Sequence, residues 1–160
     1  MPHRSRTEPF DAVLVSALDS AGLAVIITDL DLEPPGPIIR YVNRMFEDMT
    51  GFARAEVLGK SPRILQGPTT DPEVLCRLKT SLQADDYFCG ETINYRKDGE
   101  PYAVRWIITP IMGVHGLPSH WIALLMEVTN ESRTREAYAA ELEERAQKAL
   151  RAIDAADKPL

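Results

Sequence analysis

Cysteine is scarce in this 160-residue chain, which has only Cys76 and Cys89. The pair shows neither metal-ligand spacing nor a histidine close by, which argues against a zinc site and against a disulfide-built scaffold. The plain expectation is a reduced, cytoplasmic protein in which both thiols act as small core residues. Histidine is equally sparse: His3, His115 and His120 are scattered. No acid–base or nucleophile constellation accompanies them, so an enzyme is not expected. Long apolar runs are missing too, and Trp121 to Met126 is strand-sized, far short of a bilayer span. Basic residues form no run, and the net charge of −6 gives no electrostatic reason to expect nucleic acid or an anionic membrane. Met1 to Arg6 is basic but leads into polar and acidic residues, not into the apolar segment of a signal peptide.

What is present suits one ordinary globular domain with flanking helices: 44% hydrophobic and 26% charged residues. Phe10 to Asp19 carries apolar residues at helical spacing and Gly22 stops it. Leu23 to Leu30 reads as a strand, followed by the firm break Glu33-Pro34-Pro35-Gly36-Pro37 and a second strand, Ile38 to Val42. Asn43 to Gly51 predicts a short helix, and Arg54 to Leu58 and Ser61 to Gln66 each predict a turn or more. Thr70 or Asp71 caps the next helix, with Pro72 in its first turn and Val74, Leu75, Leu78 and Leu82 as its buried stripe. Phe88 to Tyr95 and Pro101 to Met112 are joined by the hairpin residues Lys97-Asp98-Gly99, and His120 to Val128 forms a last strand. From Asn130 onward Ala, Glu and Arg dominate, with i,i+4 pairs such as Glu141–Arg145, and a long helix is expected. The order implies an α+β domain built on an antiparallel sheet. Its expected boundaries are an N-terminal cap over 1–22, a core over 23–129 and a helical extension over 130–160.

One segment carries chemistry. Gly59-Lys60-Ser61-Pro62-Arg63-Ile64-Leu65-Gln66-Gly67 resembles the G-x-N-C-R-F-L-Q-G signature of the light–oxygen–voltage (LOV) branch of PAS domains. The likeness continues through Ile27-Thr28-Asp29, Tyr41-Val42-Asn43, Thr50-Gly51-Phe52, Ile93 to Gly99 and Thr109-Pro110-Ile111, in the family's order and spacing. It implies a PAS fold, with a five-stranded antiparallel sheet and short helices around FMN. A flavin needs an apolar slot, a few directed amide contacts and cations for its phosphate. By resemblance, Gln66 and Asn94 contact its polar parts, Arg63 holds the phosphate, and Lys79 stands in for a second arginine, without the bidentate fork. Ile26, Thr28, Asn43, Leu65, Leu75, Leu82, Trp106 and Ile108 complete the expected cofactor site, together with the positions taken up next. The short loop from Gln66 to Asp71 favours FMN over FAD.

The departures bear on mechanism. Pro62 stands where the family has its photoactive cysteine, and Ser61 replaces the asparagine before it. Proline offers no nucleophile, so a cysteinyl–flavin bond is excluded at this position. Val104 and Leu125 replace an asparagine and a glutamine of the family pattern, so two amide sites have become apolar. Trp106 and Trp121 are expected on the cofactor side, as core packing or as electron donors for photoreduction. The functional expectation is a non-covalent flavin photoreceptor or redox sensor. The alternatives are a flavin-free PAS dimerisation module and a flavin redox sensor to which light is irrelevant.

Period-2 reading leaves Val25, Ile27, Ile93, Tyr95, Ile107, Ile122, Leu124 and Met126 on an apolar outer face that something must cover. The flanking helices and a second copy of the chain are the expected candidates. Tyr138, Leu142, Ala146, Ala149 and Ile153 form a short coiled-coil-like stripe, and a homodimer is favoured. The chain ends at Leu160 with no output domain, as in a short LOV protein served by another copy or by a separate effector.

Overall fold

A computed structural model describes residues 12–84, 86–129 and 135–156, with side chains for 16–84, 86–129 and 140–156. The elements follow the expected order: α1 (Ala12–Ser20), β1 (Ala24–Thr28), β2 (Ile39–Val42), α2 (Arg44–Thr50), α3 (Arg54–Val57), a 3₁₀ turn (Pro62–Leu65) and α4 (Pro72–Gln83). Then come β3 (Phe88–Tyr95), β4 (Pro101–Met112), β5 (Pro118–Glu127) and α5 (Arg135–Ala156). Phe10, Asn130 and the side chains of Val13, Leu14 and Tyr138 lie outside the described residues.

The five strands form one sheet in the order β2-β1-β5-β4-β3, and every neighbouring pair is antiparallel. The first and last strands are therefore partners at its centre, with Ala24 opposite Leu125 and Thr28 opposite Trp121. Both faces of these strands are covered, which is why β1 is buried at every position and is apolar and mainly β-branched up to its closing Thr28. Alternation still sorts the side chains. Ala24 and Ile26 enter one core, while Val25 and Ile27 enter another on the opposite face.

The inner face carries the short helices. Asn43 starts α2: its Oδ1 accepts from Phe46 N at 3.0 Å and from Val25 N at 2.9 Å, and its Nδ2 donates to Leu23 O at 2.7 Å. One side chain thus caps a helix and ties it to β1. Asp71 caps α4 by accepting from Glu73 N at 2.8 Å. Neighbouring bonds, Asp71 N to Thr92 Oγ1 and Thr70 Oγ1 to Ile93 O, lash that cap to β3. Gly67 is required by contact, because a Cβ there would collide with the Tyr95 ring. Tyr95 consequently does not sit on the outer face as alternation suggests; it reaches round the edge strand, and its hydroxyl accepts from Thr69 N at 2.9 Å. Arg96, in the β3–β4 hairpin, stacks 4.3 Å over the Tyr102 ring and donates to Met49 O at 2.5 Å and to Glu127 Oε1 at 2.6 Å.

The outer face is closed by the chain's own helices. Leu18 from α1 and Leu142, Ala146 and Ala149 from α5 pack with Val25, Ile27, Ile107, Ile122, Leu124 and Met126. The alanines let α5 lie close to the strands, so its stripe serves the sheet and not a free coiled coil. Ile93, further toward the β3 edge, is only half-buried. Cys76 and Cys89 are both exposed, on the solvent side of α4 and on the edge strand, and are not core residues. Among the described residues no helix is long and apolar enough to cross a membrane, and no cluster of potential ligands could hold a metal ion.

Candidate functional site

Between the sheet's inner face and the short helices lies a cavity of about 350 Å³, within the size range of small-molecule sites. Three strands supply its floor: Ile26 and Thr28 from β1, Trp106 and Ile108 from β4, and Trp121, Ala123 and Leu125 from β5. Asn94 of β3 also lines it. Leu75, Leu78, Lys79 and Leu82 reach in from α4, because i, i+3, i+4 and i+7 share one helix face. The 3₁₀ turn adds Pro62, Arg63 and Leu65, flanked by Ser61 and Gln66. Pro62 fits the first position of this turn, where a missing N–H costs nothing, and Ser61 Oγ accepts from Arg63 N at 3.3 Å.

The wall is mostly apolar, so its few polar atoms stand out. Asn94 Oδ1, Trp106 Nε1 and Trp121 Nε1 are buried and find no hydrogen-bond partner in the protein. Each such group costs about 1–3 kcal/mol unless something in the cavity meets it. Two cations stand where the cavity opens. Arg63 Nη2 donates to Leu32 O at 2.9 Å, and Lys79 Nζ lies 3.5 Å from Glu33 Oε1. Both are exposed. Beside Asn94, burial pushes the Tyr102 hydroxyl pKa up, while Asn94 and Arg96 pull it the other way. Tyr102 therefore stays neutral across the physiological range.

Most of the residues expected at the cofactor line this one cavity, but two do not. Asn43 has its amide engaged by the backbone of α2 and β1. Val104 is fully buried in the inner core without opening onto the cavity. The resemblance implies both at the cofactor; in this structure neither lines the cavity. Sequence reasoning missed Leu32, Pro37, Leu78 and Ala123 as cavity residues, although Leu78 was expected on the buried stripe of α4. Only the apolar residues flanking a proline-rich turn hinted that the turn folds back over the mouth. Neither cysteine lines the cavity.

Residues 23–130 match the PAS domain family, and the chain belongs to it. Its relatives place it in the LOV branch of that family. It is 33% identical over 150 residues to blue-light-activated histidine kinase 1 of Erythrobacter litoralis, covering 90% of this chain and 41% of the kinase. Phototropin-2 of Oryza sativa is 35% identical over 116 residues, 72% of this chain and 13% of that protein. The chain thus spans less than half the length of either relative. Among solved structures, a LOV domain studied with a flavin analogue superposes with a TM-score of 0.68 at 29% identity, covering 86% of this chain and 97% of that one. The LOV domain of a blue-light-activated histidine kinase from Erythrobacter litoralis gives 0.62 at 28% identity, over 68% and 97% of the two chains.

Proposed function

We propose that this chain is a sensor domain that binds FMN non-covalently and responds to blue light or redox state without a cysteinyl–flavin bond. The observation that carries the reading is the largely apolar cavity of about 350 Å³ between the sheet and the short helices, lined also by Gln66, Asn94, Arg63 and Lys79. The apolar wall suits a flavin's rings, and the Gln66 and Asn94 amides suit its pyrimidine edge. Arg63 and Lys79 at the mouth suit a phosphate outside the cavity. When bound, FMN supplies blue-light absorption and one-electron chemistry. Pro62 supplies wall and no thiol, while Trp106 and Trp121 hold oxidisable indoles against the ring. Electron transfer from an indole, which loses one electron as the flavin gains one, is the light response such a wall supports.

Purified protein should show flavin absorption bands and release FMN on denaturation; a colourless protein releasing none refutes the reading. Anaerobic illumination with a reductant should deplete the oxidised flavin spectrum, and an unchanged spectrum sinks the photoreduction. Pro62→Cys returns a thiol to the wall and should restore reversible blue-light bleaching. We place a homodimer contact on the flanking helices, because the sheet face beneath them is already filled. Sedimentation at rising protein concentration tests it: a monomer throughout excludes the dimer.

A further inference from the structure

Residues 67–71 line no part of the cavity, yet β3 holds this turn at three points. Thr70 Oγ1 donates to Ile93 O at 2.6 Å, and Asp71 N donates to Thr92 Oγ1 at 2.9 Å. The Tyr95 hydroxyl accepts from Thr69 N at 2.9 Å and lies 2.5 Å from Thr69 Oγ1, one of the two hydroxyls donating to the other. The Tyr95 ring fills the space above Gly67, which a Cβ would otherwise enter. What the turn fixes is the residue just before it. Gln66 lines the cavity at the end of the 3₁₀ turn, and the backbone on either side sets its place. Upstream, Gln66 N donates to Arg63 O at 3.0 Å; downstream, Gly67 is held beneath Tyr95.

We infer that Tyr95, which does not itself line the cavity, is a positioning residue of the ligand site: it latches the 67–71 turn to β3 and so fixes Gln66 against Asn94. The inference rests on the flavin reading and deepens it. Asn94 and Tyr95 are neighbours on one strand, and their side chains leave it in different directions. Asn94 lines the cavity, while Tyr95 reaches round the edge to Thr69. One short piece of β3 therefore sets both ends of the spacing between two amides of the wall. Without the Tyr95 hydroxyl, Thr69 N takes water as its acceptor, and Gly67 is free to use its wide backbone range. Binding must then order a Gln66 amide that the latch had already placed.

The test titrates apoprotein with FMN for wild type, Tyr95→Phe, Gln66→Ala and the double variant, with Asn94→Ala as a second background. Gln66→Ala should weaken binding roughly tenfold, the size of one net hydrogen bond. Tyr95→Phe keeps the ring over Gly67 and loses the bonds to Thr69, so it should weaken binding about fivefold. The double variant should bind no more weakly than Gln66→Ala alone, while the fivefold loss should persist in the Asn94→Ala background. A merely structural role of Tyr95 does not produce that dependence on Gln66. Unchanged affinity in Tyr95→Phe overturns the inference, as does a fivefold loss that multiplies in full onto Gln66→Ala. If Tyr95→Phe does not fold, Thr69→Val takes its place in the same cycle, removing the partner hydroxyl from the exposed side of the turn. It should weaken binding about twofold, again only where Gln66 is present, and no effect or one independent of Gln66 overturns the inference. Wild-type protein that takes up no FMN overturns the flavin reading and the inference together; wild type that binds beside an unresponsive Tyr95→Phe overturns only the inference.

Discussion

The two faces of one sheet do opposite things with the same kind of residue. On the outer face, Leu18, Val25, Ile27, Ile122, Leu124, Leu142 and Ala149 are all at most 1% exposed and pack against one another. On the inner face, equally apolar strands stop short of filling the space and leave a cavity of about 350 Å³. The outer face thus carries stability, since it leaves nothing for a ligand to complete. The inner face is stable to the extent that something else finishes it.

Adjacent residues on β5 break this comparison most directly, because Leu124 belongs to the outer core and Leu125 to the cavity wall. Leu124→Gln buries an amide among groups that cannot meet it and should cost about 3 kcal/mol or more. Leu125→Gln places the same amide beside the cavity and should cost about half as much. Denaturant unfolding with and without FMN measures both, and equal costs would mean that the faces do not differ. Next in size, Asn43→Ala should lose about 2 kcal/mol, near the top of the range for a helix cap because the side chain also ties α2 to β1. Its FMN affinity should not change, and a large drop would return Asn43 to the binding site.

A smaller effect belongs to the mouth, where Glu33 competes for Lys79. Glu33→Gln should tighten FMN binding about two- to threefold at low salt and lose the advantage at high salt, as an exposed ion pair requires. Riboflavin, which lacks the phosphate, should be indifferent to the change. The smallest effect concerns His120 on β5. Burial first, and then the Arg40 charge, hold its pKa below the ordinary histidine value, against a weaker pull from Asp29. The unfolded chain therefore binds a proton that the folded chain refuses, and stability declines as pH falls through the ordinary value toward the folded one. His120→Gln should flatten that part of the stability–pH curve, and a slope identical to wild type would discount the histidine.

The sequence was most legible where period and punctuation agree. β3 and β4 have their expected limits because Lys97-Asp98-Gly99 turns the chain between two alternating runs, with Gly99 at φ +87°. α4 starts where Asp71 and Pro72 mark it. The cavity wall was legible wherever a residue's face follows from its strand or helix, as at Ile26, Ile108 and Leu82. It was not legible where placement depends on how a loop or an amide finds its partners. Asn43 appears in a motif whose meaning is supplied by Leu23 and Val25, twenty residues upstream or nearly so. Leu32 and Pro37 come to the mouth through a turn whose path no hydrophobic period encodes. Tyr95 followed the alternation of its strand, yet the space above Gly67 draws its ring round the edge.

Arg96 joins α2 through the Met49 carbonyl, β4 through the Tyr102 ring and the end of β5 through Glu127. Its side chain is mostly buried and each contact takes a different part of its guanidinium. Elements held at a common point open together or not at all. The hairpin, the end of β5 and the turn after α2 should accordingly exchange their amide hydrogens as one cooperative unit, so that loosening at the cavity's Asn94 end reaches the strand that leads toward α5 in a single event.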